Sequence, residues 1–165
     1  MRIKLLNENC KPFKKHTTDA GWDLKCAEGF VVSKGKSRPV SLGISVEIPE
    51  GHVGLLLPRS GLSRDKGLNL ANVVGVIDSD YRGEMIAQVK NNGDRPLRIP
   101  EYTRICQLLI VPIVLEDIIV VDELTETDRG SGGFGSTEED TDEETKQEEE
   151  PVLNKKEREK ELFKN

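Results

Sequence analysis

Residues 72–90 read NVVGVIDSDYRGEMIAQVK. An apolar, β-branched run (Val73, Val74, Val76, Ile77) leads into a polar corner of Asp78, Ser79, Asp80, Tyr81, Arg82, Gly83 and Glu84. From Glu84 onward, EMIAQVK alternates with a period of two. A β-branched run, a corner and an alternating run read as two sheet segments with a turn between them. Short Val- and Ile-rich runs of the same kind occur on both sides: IKLL (3–6), FVVS (30–33), SRPVSLGISVEIP (37–49), GHVGLLLP (51–58), RPLRIP (95–100), RICQLLIVPIVLE (104–116) and DIIVVDEL (117–124). Gly, Pro, Asn and Asp separate them, and strands at such spacing point to an all-β sandwich or barrel rather than βαβ units. Only SGLSRDKGLNL (60–70) suits a short helix, limited by Gly61 and Gly67. GLLLP and QLLIVPIVLE are apolar on both faces, which in one small domain calls for a second packing surface, most simply another copy of the chain.

Charge divides the chain. Residues 1–137 carry 18 acidic and 18 basic side chains, whereas residues 138–165 carry 12 acidic and 6 basic, so the tail supplies the whole net charge of −6. A neutral body offers no basic footprint for duplex nucleic acid. Cys10, Cys26 and Cys106 are odd in number and lack C-x-x-C spacing, which argues for buried thiols rather than a disulfide frame or zinc site. His16 and His52 share no ligand spacing and read as loop or surface residues. No signal peptide or membrane-spanning run is evident, and an intracellular, soluble setting is expected.

After Leu124 the composition changes. TETDRGSGGFGST (125–137) is Gly-rich, and EEDTDEETKQEEE (138–150) is too charged and too poor in apolar residues to fold alone. PVLNKKEREKELFKN (151–165) has Pro151 at a helix start but too few apolar residues for a stable isolated helix. The expected division is a β-domain over 1–128, a Gly-rich arm over 129–137 and a charged, disordered tail over 138–165. That tail is either a solvated extension or a peptide for an unidentified protein partner.

Three stretches carry chemistry. PRSG (58–61) ends an apolar strand, and a turn there would expose Arg59 and Ser60 beside free backbone N–H groups suited to phosphate; the same letters also fit a plain turn with a surface Arg. RGSGGFGST (129–137) offers a cation, glycines, hydroxyls and one aromatic, without the Lys-Ser/Thr ending of a P-loop; a flexible linker would not need its Phe. Asp78 comes directly after VVGVI and is expected at a partly desolvated rim, where a carboxylate accepts a proton from water. Asp78 and Asp80 equally suit turn capping or pairing with Arg82, and Tyr81 suits either a core edge or a platform under a sugar. TDAGWDL (18–24) adds Asp23 in a strand-like setting. No His–acid pair accompanies Ser60, which argues against a nucleophilic serine.

Taken together, AGWDL (20–24), PRSGL (58–62), NVVGVIDSDYRGE (72–84), RICQL (104–108) and RGSGGFGST (129–137) resemble, in order and spacing, the five motifs of the homotrimeric dUTPase family. The resemblance spans about residues 1–137. It implies a jelly-roll-like, trimer-forming all-β fold and hydrolysis of dUTP to dUMP and pyrophosphate with Mg²⁺. It implies that Asp78 is the general base for water attack at the α-phosphorus and that Tyr81 packs on the deoxyribose. Asn72 with the backbones of Val76, Ile77 and Ile86 would read uracil along a β-hairpin. Arg59, Ser60, Gly61 and Gln107 would hold phosphates, and Asp23 would orient a water on the metal. Arg129, Phe134, Gly135 and Ser136 would close over the nucleotide, Phe134 stacking on the base and Arg129 reaching the γ-phosphate. Each site would draw on three subunits. Asp80, Arg82 and Glu84 would be framework or interface charges. Glu138 departs from the glycine usual after GST and places negative charge at the end of the arm. The alternatives are a dCTP deaminase of related fold, monofunctional or bifunctional, and a non-catalytic regulator that keeps the fold.

Overall fold

Alternation of buried and exposed side chains with a period of two organises the chain. The computed structural model describes residues 1–133, which form ten strands and one α-helix. The strands are β1 (Arg2–Leu5), β2 (Trp22–Lys25), β3 (Phe30–Val32), β4 (Ser37–Glu47), β5 (His52–Pro58), β6 (Leu68–Leu70), β7 (Gly75–Ile77), β8 (Glu84–Asn91), β9 (Leu97–Ile99) and β10 (Arg104–Pro112). The helix α1 spans Ser60–Lys66 and stops at Gly67, whose φ of 68° is left-handed and costs a glycine little. A Cβ at Gly67 would also lie 2.5 Å from the Gly93 nitrogen.

Every described ladder is antiparallel. One sheet runs β1-β4-β8-β6, a second runs β2-β10-β5-β7, and β3 and β9 form a small third sheet. Val40, Leu42, Ile44 and Val46 of β4, Met85, Ala87 and Val89 of β8, Leu24 of β2, Leu56 of β5 and Leu108 of β10 share one buried core, so the two large sheets close on each other as a sandwich. The all-β expectation holds. Asn91 is the one buried polar residue of this core, and it is satisfied: Nδ2 donates to the carbonyls of Val32 at 3.0 Å and Arg95 at 2.8 Å, and Oδ1 accepts from Gly93 N at 2.9 Å.

A bulge in β4 sets the entrance to β8. Ser41 pairs with Ile86 and Ser45 with Glu84, so β4 carries two extra residues there. Gly43 absorbs the kink with a φ of 63°, its α-carbon so close to Cys10 that a Cβ would meet Sγ at 2.9 Å.

Two details depart from the sequence reading. β7 and β8 are not paired to each other: β7 pairs with β5 and β8 with β4 and β6, so the implied hairpin is instead a corner that crosses between sheets. β10 ends at Pro112, and DIIVVDEL forms no strand; its apolar side chains lie open in the single chain, Ile118 at 93% exposure. Among the described residues no strand lies beside them to complete such hydrogen bonds. In β5 and β10, Leu56, Cys106 and Leu108 are buried in the core, while Val53, Leu55, Leu57 and Leu109 are half-buried in the single chain.

The chain divides into two units, Met1–Ile118 and Ile119–Asn165. Within the second, residues 119–133 contain turns but no strand or helix. Phe134, Gly135, Ser136, Glu138 and the tail lie outside the described residues. Among the described residues no helix is long and apolar enough to cross a membrane.

Candidate active site

β2 and β10 run side by side with Asp23 opposite Gln107, and β10 pairs in turn with β5, which delivers Pro58 and Arg59. Asp23 is therefore held between two guanidinium groups: Arg59 Nε lies 2.9 Å from Oδ1 and Arg104 Nη1 lies 3.3 Å from Oδ2. Arg59 Nη1 donates to the Arg104 carbonyl at 2.9 Å. The Asp23 side chain is only 22% exposed, so this pairing is less screened than a surface ion pair. One carboxylate between two guanidiniums leaves the group with a net positive charge.

Arg59 caps α1 in extended conformation, and Ser60 and Gly61 are the first residues of the helix rather than of an open loop. No side chain caps this end, so the first N–H groups point outward without intrahelical partners. Gly61 has no neighbour within 4 Å of a built Cβ and no left-handed φ. Among the described residues nothing requires glycine there. Gln107 donates from Nε2 to the Pro58 carbonyl at 3.1 Å, and its Oε1 fills the space over Gly21, 2.8 Å from where a Cβ would stand. AGWDL, PRSGL and RICQL are thus fastened into one cationic, donor-rich edge. Arg104 had no role in the sequence reading; its signal was its place directly before the buried pair Ile105–Cys106 of β10, opposite Lys25 of β2.

Beside Gln107, the Cys106 thiol is fully buried, and desolvation, with smaller contributions from Cys26 and Asp23, pushes its pKa far up. A thiol held protonated is inert as a nucleophile.

The corner between β7 and β8 is built differently. Asp78 is exposed, not partly desolvated as expected, and no ion pair among the described residues involves Asp78, Asp80 or Arg82. Arg82 Nη1 instead donates to the carbonyls of Ser79 at 2.6 Å and Tyr81 at 3.0 Å, stiffening the turn. Tyr81 Oη donates to the Glu84 carbonyl at 2.9 Å and lies where a Cβ on Gly83 would stand, so Gly83 is needed for the ring to fold back. The Glu84 carboxylate accepts from Ser41 Oγ at the β4 bulge. That bond ties Glu84 to the neighbouring strand. Asn72 opens a tight turn into β7 in which Val73 has a φ of 62°. That is a strained conformation for a β-branched residue. Val76 and Ile86 present exposed side chains, while Ile77 packs against the core.

β5 separates these two groups. In the β5–β7 ladder Gly75 lies opposite Leu56 and Ile77 opposite Gly54, which sets Asp78 beside Val53. Strand residues advance by about 3.3 Å, so the roughly six residues from Val53 to Arg59 put Asp78 and Arg59 about 20 Å apart along one chain. Arg129 belongs to the second unit, on a turn where its Nε donates to the Gly132 carbonyl at 3.0 Å.

Residues 8–138 match the dUTPase family model. The chain belongs to the dUTPase family. It is 41% identical over 138 residues to the deoxyuridine 5'-triphosphate nucleotidohydrolase of Clostridium tetani, covering 83% of this chain and 95% of that one. It is 42% identical over 141 residues to the enzyme of the same name from Anaeromyxobacter sp., covering 83% and 96%. Among solved structures, the Staphylococcus bacteriophage 80alpha dUTPase with dUPNHPP superposes with a TM-score of 0.77 at 32% identity, over 82% of this chain and 96% of that one. A mutant dUTPase of phage phi11 of S. aureus, solved with a structural Mg(II) ion, gives a TM-score of 0.68 at 32% identity, over 74% and 96%. The dUTPase relationship thus covers both the β-sandwich and the five motifs.

Proposed function

We propose that this protein hydrolyses dUTP to dUMP and pyrophosphate, at sites assembled from more than one copy of the chain. The observation that carries the reading is the separation of two incomplete half-sites on β5. One end has the Asp23–Arg59–Arg104 group with Ser60, Gly61 and Gln107, suited to phosphate oxygens. The other has Asp78, Asn72, Tyr81 and the backbones of Val76, Ile77 and Ile86, suited to a deoxynucleoside. A distance of about 20 Å is several times the spacing of neighbouring phosphorus atoms, so one chain does not offer both halves to one nucleotide. A homotrimer completes the site and also covers the open apolar run Val114–Val121.

Asp78 accepts the proton of the attacking water, because its carboxylate has no competing cationic partner among the described residues. Tyr81, locked by Gly83 and Glu84, lays its ring where a 2′-hydroxyl would otherwise fit. Amides around Asn72, Val76 and Ile86 read the base, and unmatched hydrogen bonds reject the wrong one more strongly than one methyl group does. Arg59, Ser60, Gly61 and Gln107 hold the phosphates in line, and Arg129, Phe134, Gly135 and Ser136 enclose the nucleotide. The chemistry asks the protein for positioning and charge stabilisation more than for covalent work.

Asp23 fits an outer role toward Mg²⁺. A single carboxylate with both oxygens already bonded to Arg has lone pairs left for a water, and no group of three or more candidate ligands occurs among the described residues. Mg²⁺ at phosphate sites keeps several waters and needs few protein ligands. When bound, the ion would neutralise phosphate charge.

Parallel assays of pyrophosphate release from dUTP, dCTP, dTTP and UTP test the reading. Release from dUTP alone is expected. No release from any would favour the non-catalytic regulator, and ammonia from dCTP would favour the deaminase.

A further inference from the structure

Phe13 lies outside every motif, yet it touches the phosphate end of the site. Its backbone exchanges two hydrogen bonds with Asp23, Phe13 N to Asp23 O at 3.0 Å and Asp23 N to Phe13 O at 2.8 Å. Its ring, 42% exposed, carries the Arg104 guanidinium, with Cζ 4.8 Å from the centroid. Arg104 in turn bonds Asp23 Oδ2. Phe13, Arg104 and Asp23 therefore form a closed ring of contacts beside Arg59.

The consequence is geometric. A carboxylate with both oxygens free takes an arginine bidentately, through two parallel N–H···O bonds. Here the two oxygens are instead divided between two arginines, with Arg104 Nη1 at Oδ2 and Arg59 Nε at Oδ1. Arg59 Nη1 donates to the Arg104 carbonyl, so Arg104 meets Arg59 both directly and through Asp23. We propose that Arg104, seated on Phe13, is a positioning residue that holds the Asp23 carboxylate in place against Arg59 Nε and so fixes the orientation of the Arg59 guanidinium for a phosphate. This rests on the proposed role of Arg59 in triphosphate binding. A cation–π contact of this kind contributes by fixing the plane of the guanidinium as much as by its own energy.

The test uses the full-length protein in its native oligomer and compares R104Q, R104K and F13L with wild type. The readouts are kcat and KM for dUTP and the Kd values of dUMP and a non-hydrolysable dUTP analogue. R104Q should raise KM and the analogue Kd about tenfold, leave kcat within about threefold, and leave dUMP affinity unchanged. R104K keeps the charge and one donor and should recover part of the loss. F13L keeps every charge yet should weaken the analogue about threefold, an effect that mere loss of positive charge would not produce. Phe13 has an exposed edge, so F13L provides a folded variant even if R104Q is unstable. Wild-type analogue affinity in R104Q, or in both F13L and R104K, would overturn the proposal, as would equal weakening of dUMP. A wild-type protein that does not release pyrophosphate from dUTP would sink the proposed function first, and the Arg104 proposal with it; active wild type with insensitive variants would sink only the latter.

Discussion

The two ends of β5 contrast in how they are held. At the Arg59 end, charged side chains are half-buried, bonded to each other and locked to strand register. At the Asp78 end, Val76 is 64% exposed, Val73 is strained at 72% exposure, and the acid has no ionic partner among the described residues. One half of the site is preorganised by its own chain. The other is rigid in its turn but uncovered, as a surface is when something else is meant to complete it. A group that must bind highly charged phosphates needs fixed cations; a base that must take a proton needs a carboxylate free of them.

The sharpest way to break this contrast is at Asp78. Asp78→Asn keeps shape and hydrogen bonding but loses proton acceptance, and kcat should fall by at least about 10²-fold with dUTP binding largely kept. Near-normal turnover would remove Asp78 from the chemistry. Removal of everything from Arg129 onward should also cost orders of magnitude, whereas a chain ending at Thr137 should keep kcat within about threefold, a change below 1 kcal/mol. Equal loss in both truncations would make residues 138–165 part of the site despite their acidity.

Smaller effects sharpen the corner's role. Tyr81→Ala should raise UTP turnover relative to dUTP by about tenfold, the scale of a small steric group in a pocket. Gly83→Ala should do the same without touching the tyrosine, because its Cβ would stand 2.4 Å from Tyr81 Oη. An unchanged preference in both would make Tyr81 structural only. The least effect is expected at Val73. Val73→Asn replaces a β-branched residue at a φ of 62° with one that tolerates it, relieving about 1 kcal/mol. By differential scanning calorimetry, Tm should rise by about 2–4 °C, and a fall in Tm would mean that Val73 is covered in the native assembly.

The strand grammar of the sequence carried most of the architecture, because alternation in β4, β5 and β8 reports burial directly. It failed at DIIVVDEL, which has strand composition but pairs with no strand among the described residues. The candidate site residues stood in motifs that the resemblance already grouped, whereas the contact of Asp23 with Arg59 and Arg104 was not legible. That Asp23, Arg59 and Arg104 converge depends on β10 lying between β2 and β5, a long-range pairing that no local pattern encodes. The hairpin expected between β7 and β8 failed for the same reason, since both ends of the corner found better partners in different sheets. Phe13 left no local signal, because its role comes from a single bridge to Asp23.

Complementation between two inactive chains tests the central claim most directly. Asp78→Asn damages one end of β5 and Arg59→Ala the other. Each homo-oligomer should be nearly inactive. If the two halves of a site come from different chains, oligomers containing both variants will include sites with an intact Asp78 from one chain and an intact Arg59 from the other. Co-refolded mixtures, with mixed composition verified by native mass spectrometry, should then recover a substantial fraction of wild-type pyrophosphate release from dUTP. Verified mixed oligomers that stay as inactive as the parent variants, or a wild-type chain that is active as a monomer, would contradict a site shared between chains.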